Sequence, residues 1–147
     1  MKTILLALSL LAGTFFNNAR ATENEIDPTV TAAFESRFAN ATEVAWSDAG
    51  GLYKVRFTLD GQTANAFYNT DGALVALTRQ LAPSELPAAL RASLRPSLEK
   101  RWITDVFEVK NETGITYYAT LENADSKVVL QSVRGRKWMT YNETVRL

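Results

Sequence analysis

The sequence predicts an α+β fold in which a helix followed by a four-stranded antiparallel meander occurs twice in tandem, with both helices packed on one face of the sheet. Three observations carry that prediction. The stretch "GLYKVRFTLDG" (51–61) alternates apolar and polar residues from Tyr53 to Leu59 and stops at Asp60-Gly61, and "GITYYATLENAD" (114–125) starts from a glycine with the same alternation. Ahead of each lies an apolar stripe at four-residue intervals, Val30, Phe34 and Phe38 in one case and Leu86, Leu90 and Leu94 in the other. Matched positions then recur at an offset of about 62 to 64 residues. Thr104-Asp105-Val106 echoes Thr42-Glu43-Val44, Gly114 echoes Gly51, Tyr117-Tyr118-Ala119 stands where Tyr53-Lys54-Val55 stood, and Arg134-Gly135 replaces Asp71-Gly72.

Asp27-Pro28 marks the first helix start, because aspartate caps free N–H groups and proline suits the first turn. The stripe from Val30 to Phe38, with Ala33 and Ala41 beside it, makes about three turns that close at Asn40-Ala41-Thr42. A short strand around Glu43–Ser47 contains Trp46, which reads as core packing, and Gly50-Gly51 breaks the chain before the strand Tyr53–Leu59. Asp60-Gly61 and Asp71-Gly72 are turn chemistry, since glycine accepts positive φ and aspartate tolerates it. They bound strands over Thr63–Asn69 and Ala73–Leu81. The second helix opens at Pro83-Ser84, has Pro87 in its first turn and stops before Pro96. The offsets leave "SLEKRWITDVFEVKNE" (97–112) as the place for an extra loop.

The first residues stand apart from this fold. Lys2, the apolar run Ile4–Phe16 and Ala19-Arg20-Ala21 have the charge, length and small-x-small ending of a secretory leader, too short to span a bilayer. Residues 1–21 are therefore expected to be a signal peptide, and 22–147 a single domain of two repeats, about 28–81 and 83–147, in the periplasm or outside the cell. Sixteen basic and sixteen acidic residues balance, and loss of Lys2 and Arg20 with the leader leaves a net charge of about −2. No attraction to nucleic acid or to an anionic membrane follows from that balance. With no cysteine the domain needs an apolar core in place of disulfides.

With no histidine, Ser–His–Asp triads, Cys–His dyads and most zinc sites are excluded. No phosphate-cradling glycine loop, nucleophile elbow or calcium loop occurs, and Asp60, Asp71 and Asp125 read as turn residues before they read as a catalytic pair. The expectation is no enzyme, no catalytic residue, no metal and no cofactor.

On Tyr53–Leu59 the residues Tyr53, Val55, Phe57 and Leu59 share one face and Lys54, Arg56 and Thr58 the other. The apolar face is expected to meet Phe34 and Phe38, each burial contributing roughly 1.5–3 kcal/mol. Tyr118 matches Lys54 and Thr120 matches Arg56. Counting back from Asp71-Gly72, Ala64, Ala66 and Tyr68 point inward and Asn65 and Phe67 outward, while Trp138 and Tyr141 lie on opposite faces of one strand. Exposed aromatics with a few cations are what protein-binding surfaces favour. Lys54, Arg56, Phe67, Tyr118 and Trp138 are thus the candidate protein-binding face, unless segment 95–103 or the N-terminal tail covers the rings. Trp102, beside Lys100-Arg101, is open to either reading. Asn40-Ala-Thr42, Asn111-Glu-Thr113 and Asn142-Glu-Thr144 fit the glycosylation pattern and matter only in a glycosylating host.

"FESRFANATEVAWSDAGGLYKVRFTLDGQTANAFYNTDGALV", followed by "LAPSELPAALRASL", resembles the exported PepSY-like, or β-lactamase-inhibitor-like, proteins. The resemblance rests on Asn40, Ala41, Val44, Trp46, Tyr53, Val55, Phe57, Gly61, Asp71, Gly72, Ser84, Leu86 and Pro87, and departs from the pattern where Arg134-Gly135 replaces an Asp-Gly hairpin. It implies two helices on one face of an antiparallel sheet whose other face is open, and a partner that is a protein, with inhibition of a hydrolase as one form of the binding. The expected function is a non-catalytic binding module engaging a protein through that open face, without nucleic acid or membrane. The alternative is a periplasmic carrier of a small molecule or peptide in a cleft between the repeats. Oligomeric state is open, since an exposed sheet edge is able to pair two chains.

Overall fold

The computed structural model describes residues 26–145, so the leader expected over 1–21 lies outside the described residues. Helix α1 spans Pro28–Arg37. Asp27 Oδ1 accepts a hydrogen bond from the Thr29 N–H at 2.8 Å, and Pro28 at the first helical position forfeits no helical bond. The Phe38 N–H donates to the Phe34 carbonyl at 2.8 Å and ends the helix. Four strands follow, β1 (Thr42–Asp48), β2 (Tyr53–Leu59), β3 (Gln62–Tyr68) and β4 (Leu74–Gln80). After a 3₁₀ turn over Pro83–Glu85 come α2 (Ala88–Leu94) and a second 3₁₀ turn, Arg95–Glu99. The chain finishes with β5 (Trp102–Asn111), β6 (Gly114–Glu122), β7 (Ser126–Val133) and β8 (Met139–Val145). Each strand pairs antiparallel with the next, in the order β1 to β8, which leaves β1 and β8 as edges among the described residues.

Turn chemistry sets this register. Asp60 and Gly61 both have positive φ, 51° and 78°, and let Leu59 pair directly with Gln62. Arg134 and Gly135, at 56° and 66°, open the longer β7–β8 connection with the same pair of positive-φ residues, arginine in place of aspartate. Between β3 and β4 the Gly72 N–H donates to the Asn69 carbonyl at 3.1 Å, with Gly72 at φ 79°.

The α+β class, with its tandem helix-plus-meander units and packed helical layer, is corrected here. The described residues are mostly β, one continuous eight-stranded sheet with two short helices of 10 and 7 residues. There is a physical reason for each departure. Leu77 pairs with Lys110 and Gln80 with Phe107, so the ladder runs unbroken from β4 into β5 and the sheet has no internal boundary. Pro87 precedes α2 in extended conformation and Pro96 lies in the 3₁₀ turn after it, which confines that helix to two turns. The extra loop expected over 97–112 is instead largely β5. Val106 points to one face and Phe107 and Val109 to the other, and apolar residues on both faces erase the alternation by which a strand is recognised.

Both apolar clusters on one face centre on the sheet. Val30, Phe34 and Phe38 enter the first with Trp46, Val55, Phe57, Ala66 and Tyr68. Phe34 lies 5.1 Å from Phe57 and 5.5 Å from Trp46, ring centre to ring centre, both edge-on, the geometry that aromatic quadrupoles prefer. Leu81, Leu86 and Leu94 enter the second with Val106, Ala119 and Leu121. Arg79 joins elements across the middle of the sheet. Its Nε donates to Glu108 Oε1 at 3.0 Å on β5 and its Nη1 to Gln62 Oε1 at 2.7 Å on β3.

Candidate functional site

The pairing register determines what the opposite face carries. Lys54 stands across from Phe67, which stands across from Ala76. The next row runs Arg56, Asn65, Thr78, Val109, and the one after it Gln80, Phe107, Tyr118, Gln131, Met139. Because side chains alternate, these rows all lie on the face away from Phe34 and Leu94. Lys54, Arg56, Phe67 and Tyr118 thus share one face. Strand spacing puts β2 and β6 roughly 19 Å apart, so these four residues form two patches.

The first patch is basic and polar. Lys54, Arg56, Asn65, Thr78, Gln80 and Phe107 line an open depression of about 380 Å³. Asn65 Nδ2 donates to Thr78 Oγ1 at 3.3 Å, and Gln80 Nε2 donates to Asp105 Oδ1 at 3.0 Å. Burial, and then the neighbouring charge of Arg56, hold the Lys54 ammonium below its ordinary pKa of 10.5. Arg56 is exposed and Lys54 and Phe67 are half-buried. Such a surface offers cationic, amide and hydroxyl donors around an aromatic floor, which suits carboxylates and backbone carbonyls.

The second patch is aromatic. Tyr118 stacks on Phe107 at 4.9 Å with 9° between planes, and Tyr141 meets it edge-on at 5.5 Å. The Tyr118 hydroxyl accepts from Gln131 Nε2 at 2.7 Å. Tyr118 itself is buried, its pKa raised by that burial, and Tyr141 is the ring that reaches solvent.

Trp138 does not belong to this face. Its Nε1–H donates to the Leu90 carbonyl at 2.9 Å and its ring packs against the cluster of Leu81, Leu86 and Leu94. Trp46 is core, packed against Phe34, and Trp102 is exposed on β5. Asp60 occupies a turn, and the Asp125 N–H donates to Asn123 Oδ1 at 3.0 Å in another. Among the described residues no three acidic, histidine or cysteine side chains cluster as a metal site, and no helix is long and apolar enough to cross a membrane.

Sequence reasoning missed Gln80, Phe107 and Tyr141 as members of the face. Phe107 lay in the stretch read as a loop. Tyr141 lies on the face opposite Trp138, as alternation requires, but alternation cannot say which of the two rings turns to the core.

Similar folds occur in solved structures at low sequence identity. A BLIP-like protein from Bacteroides fragilis NCTC 9343 matches with a TM-score of 0.68 at 20% identity, over 82% of this chain and 86% of that one. A protein from Bacteroides eggerthii DSM 20697 described as periplasmic matches with 0.72 at 15% identity, over 82% and 88%. A DUF2874 family protein from Bacteroides ovatus ATCC 8483 matches with 0.71 at 20% identity, over 82% and 87%. The chain therefore has a BLIP-like fold. No protein-family model matches the sequence, and neither does any curated protein.

Proposed function

We propose that this chain is an exported, non-catalytic binding module that engages a protein partner through the sheet face carrying Lys54, Arg56 and Phe67. The observation that carries the reading is the concentration of cations and amides, with the half-buried Phe67 and the exposed Tyr141, around a small apolar cluster of Phe107, Val109, Tyr118 and Val129, on the face opposite Phe34 and Leu94. The BLIP-like fold is in keeping with it. Inhibition of a hydrolase is the finer form of the proposal and rests on that likeness. Placement in the PepSY-like group rests on the motif residues from Asn40 to Pro87. Export, to the periplasm or beyond, rests on the leader-like residues 1–21 and on the periplasmic description of one structural neighbour. The test is a pull-down from a periplasmic extract with wild type and with a Lys54→Ala, Arg56→Ala, Phe67→Ala, Tyr141→Ala variant. Bands captured by wild type are expected to disappear, and identical profiles would sink the proposal.

A second reading has one observation in its favour. The depression of about 380 Å³ is lined from both sides of the β4–β5 seam, as a carrier of a small molecule or peptide requires. A thermal-shift screen separates the two, since a small ligand at a hundred times its dissociation constant adds about 2.7 kcal/mol of stability.

A further inference from the structure

Among the described residues β8 is an edge strand, and all seven of its residues are exposed. An edge presents a row of unpaired N–H and C=O groups, which folded proteins usually blunt with charge, proline or bulges. β8 has no proline, and its one charged residue, Glu143, is taken up by Arg101 at 3.3 Å. It has one bulge, at Tyr141, beyond which Asn142–Val145 pairs in unbroken register with Ser126–Val129. The other edge, β1, is better guarded. It carries Glu43 and Asp48, and Glu43 sits at φ 53° in a bulge that interrupts the ladder.

The turn that leads into β8 is strongly basic. Arg134, Arg136 and Lys137 fall within four residues, and among the described residues none of them is in an ion pair. Arg134 Nε donates to the Thr113 carbonyl at 3.3 Å, which orients that side chain without neutralising it. With Val133 and Met139, exposed by 42% and 47%, these cations line a pocket of about 400 Å³. Apolar floor, cationic rim and open strand edge therefore meet at one place.

From this juxtaposition we infer that β8 is a docking edge for an acidic, extended polypeptide segment of a partner protein. The segment adds as a ninth strand along β8, seats an apolar side chain between Val133 and Met139, and places carboxylates against Arg134, Arg136 and Lys137. A polypeptide fits where a lipid surface does not. Only a polypeptide satisfies the edge's backbone groups, and the apolar residues line a concavity, whereas a bilayer takes up side chains that protrude. This edge adjoins the face proposed above at Met139 and Tyr141 but does not use Lys54, Arg56 or Phe67, so the inference stands or falls without that reading.

The test uses a fluorescent, acetylated peptide as long as β8, alternating glutamate with valine or threonine, and reads anisotropy with the full-length mature chain. Three comparisons accompany it, the lysine counterpart, the glutamate peptide methylated on alternate backbone nitrogens, and the Arg136→Glu, Lys137→Glu variant. Binding of the glutamate peptide is expected, weakened at least tenfold in each of the three. Absence of binding, or equal binding by the double variant, overturns the inference. Equal binding of the methylated peptide overturns it too, because charge alone then suffices without strand addition. So does co-sedimentation of the chain with anionic phosphatidylglycerol vesicles in place of peptide binding, or a self-associated species in sedimentation velocity whose formation excludes the peptide. Circular dichroism of the variant shows whether the sheet is intact, and should it unfold, Met139→Asp, which removes the apolar seat and adds repulsion, replaces it with the same expected loss.

Discussion

Tyr68 shows how a single atom departs from the logic of its surroundings. Its ring is almost wholly buried beside Trp46, and its hydroxyl is enclosed without a hydrogen-bond partner among the described residues. An enclosed, unpaired hydroxyl loses its hydration and gains nothing in exchange, a cost of about 1–3 kcal/mol. Tyr68→Phe keeps the packing and removes that cost, so it is expected to raise unfolding free energy by about 1 kcal/mol in urea denaturation. Burial also raises the Tyr68 pKa above its ordinary 10.0, against a smaller opposing effect of Arg37. Above pH 10 the native chain then holds a proton that the unfolded chain has lost, so stability, complete below pH 10, falls as pH climbs through the native value. The same substitution is expected to make that fall shallower, with Tyr118 acting in the same direction and Lys54, whose pKa is lowered, acting against it.

Among the turns, two glycines with nearly equal backbones have different neighbours. Gly61 and Gly72 have φ of 78° and 79°, where a side chain is strained wherever it sits. A Cβ on Gly61 would meet nothing within 4 Å. On Gly72 it would lie 3.2 Å from both Cγ2 and the carbonyl oxygen of Thr29, at the start of α1. Gly61→Ala is therefore expected to cost about 1–2 kcal/mol through the backbone alone. Gly72→Ala is expected to cost more than Gly61→Ala, because it also pushes the β3–β4 turn away from the helix. Urea midpoints at equal slope would show it, and equal losses would mean that the contact with Thr29 yields freely.

Across the whole sheet, the β4–β5 seam couples the two apolar clusters. Four backbone pairs from Leu77 to Gln80 and the Arg79–Glu108 bond cross it, and no strand is missing from the ladder. Trp46 belongs to the first cluster and Trp138 to the second, so each ring reports one half. In variants that retain only Trp46 or only Trp138, fluorescence and far-ultraviolet circular dichroism are expected to trace one coincident unfolding curve. Two separated midpoints would show that the halves melt independently. The open face spans the same seam, so a partner gripping Lys54 and Tyr141 together needs it intact.

Much was legible from local pattern alone. The strand Tyr53–Leu59, the Asp60-Gly61 hairpin, the cap at Asp27, the core role of Trp46 and the common face of Lys54, Arg56, Phe67 and Tyr118 each depend on alternation, turn stereochemistry or capping, which neighbouring residues dictate. Other features depend on residues far apart in the chain. Pairing of Gln80 with Phe107 made the molecule one β-sheet, and apolar residues on both sides of β5 hid it among loop residues. A hydrogen bond from Trp138 to the Leu90 carbonyl, 48 positions away, holds that ring off the open face. Tyr141, in the strand that follows, faces the open side instead. Period and turn type are encoded within a few residues, whereas which strand lies beside which, and therefore which ring meets water, emerges only when distant segments compete for the same apolar surface and the same backbone partners.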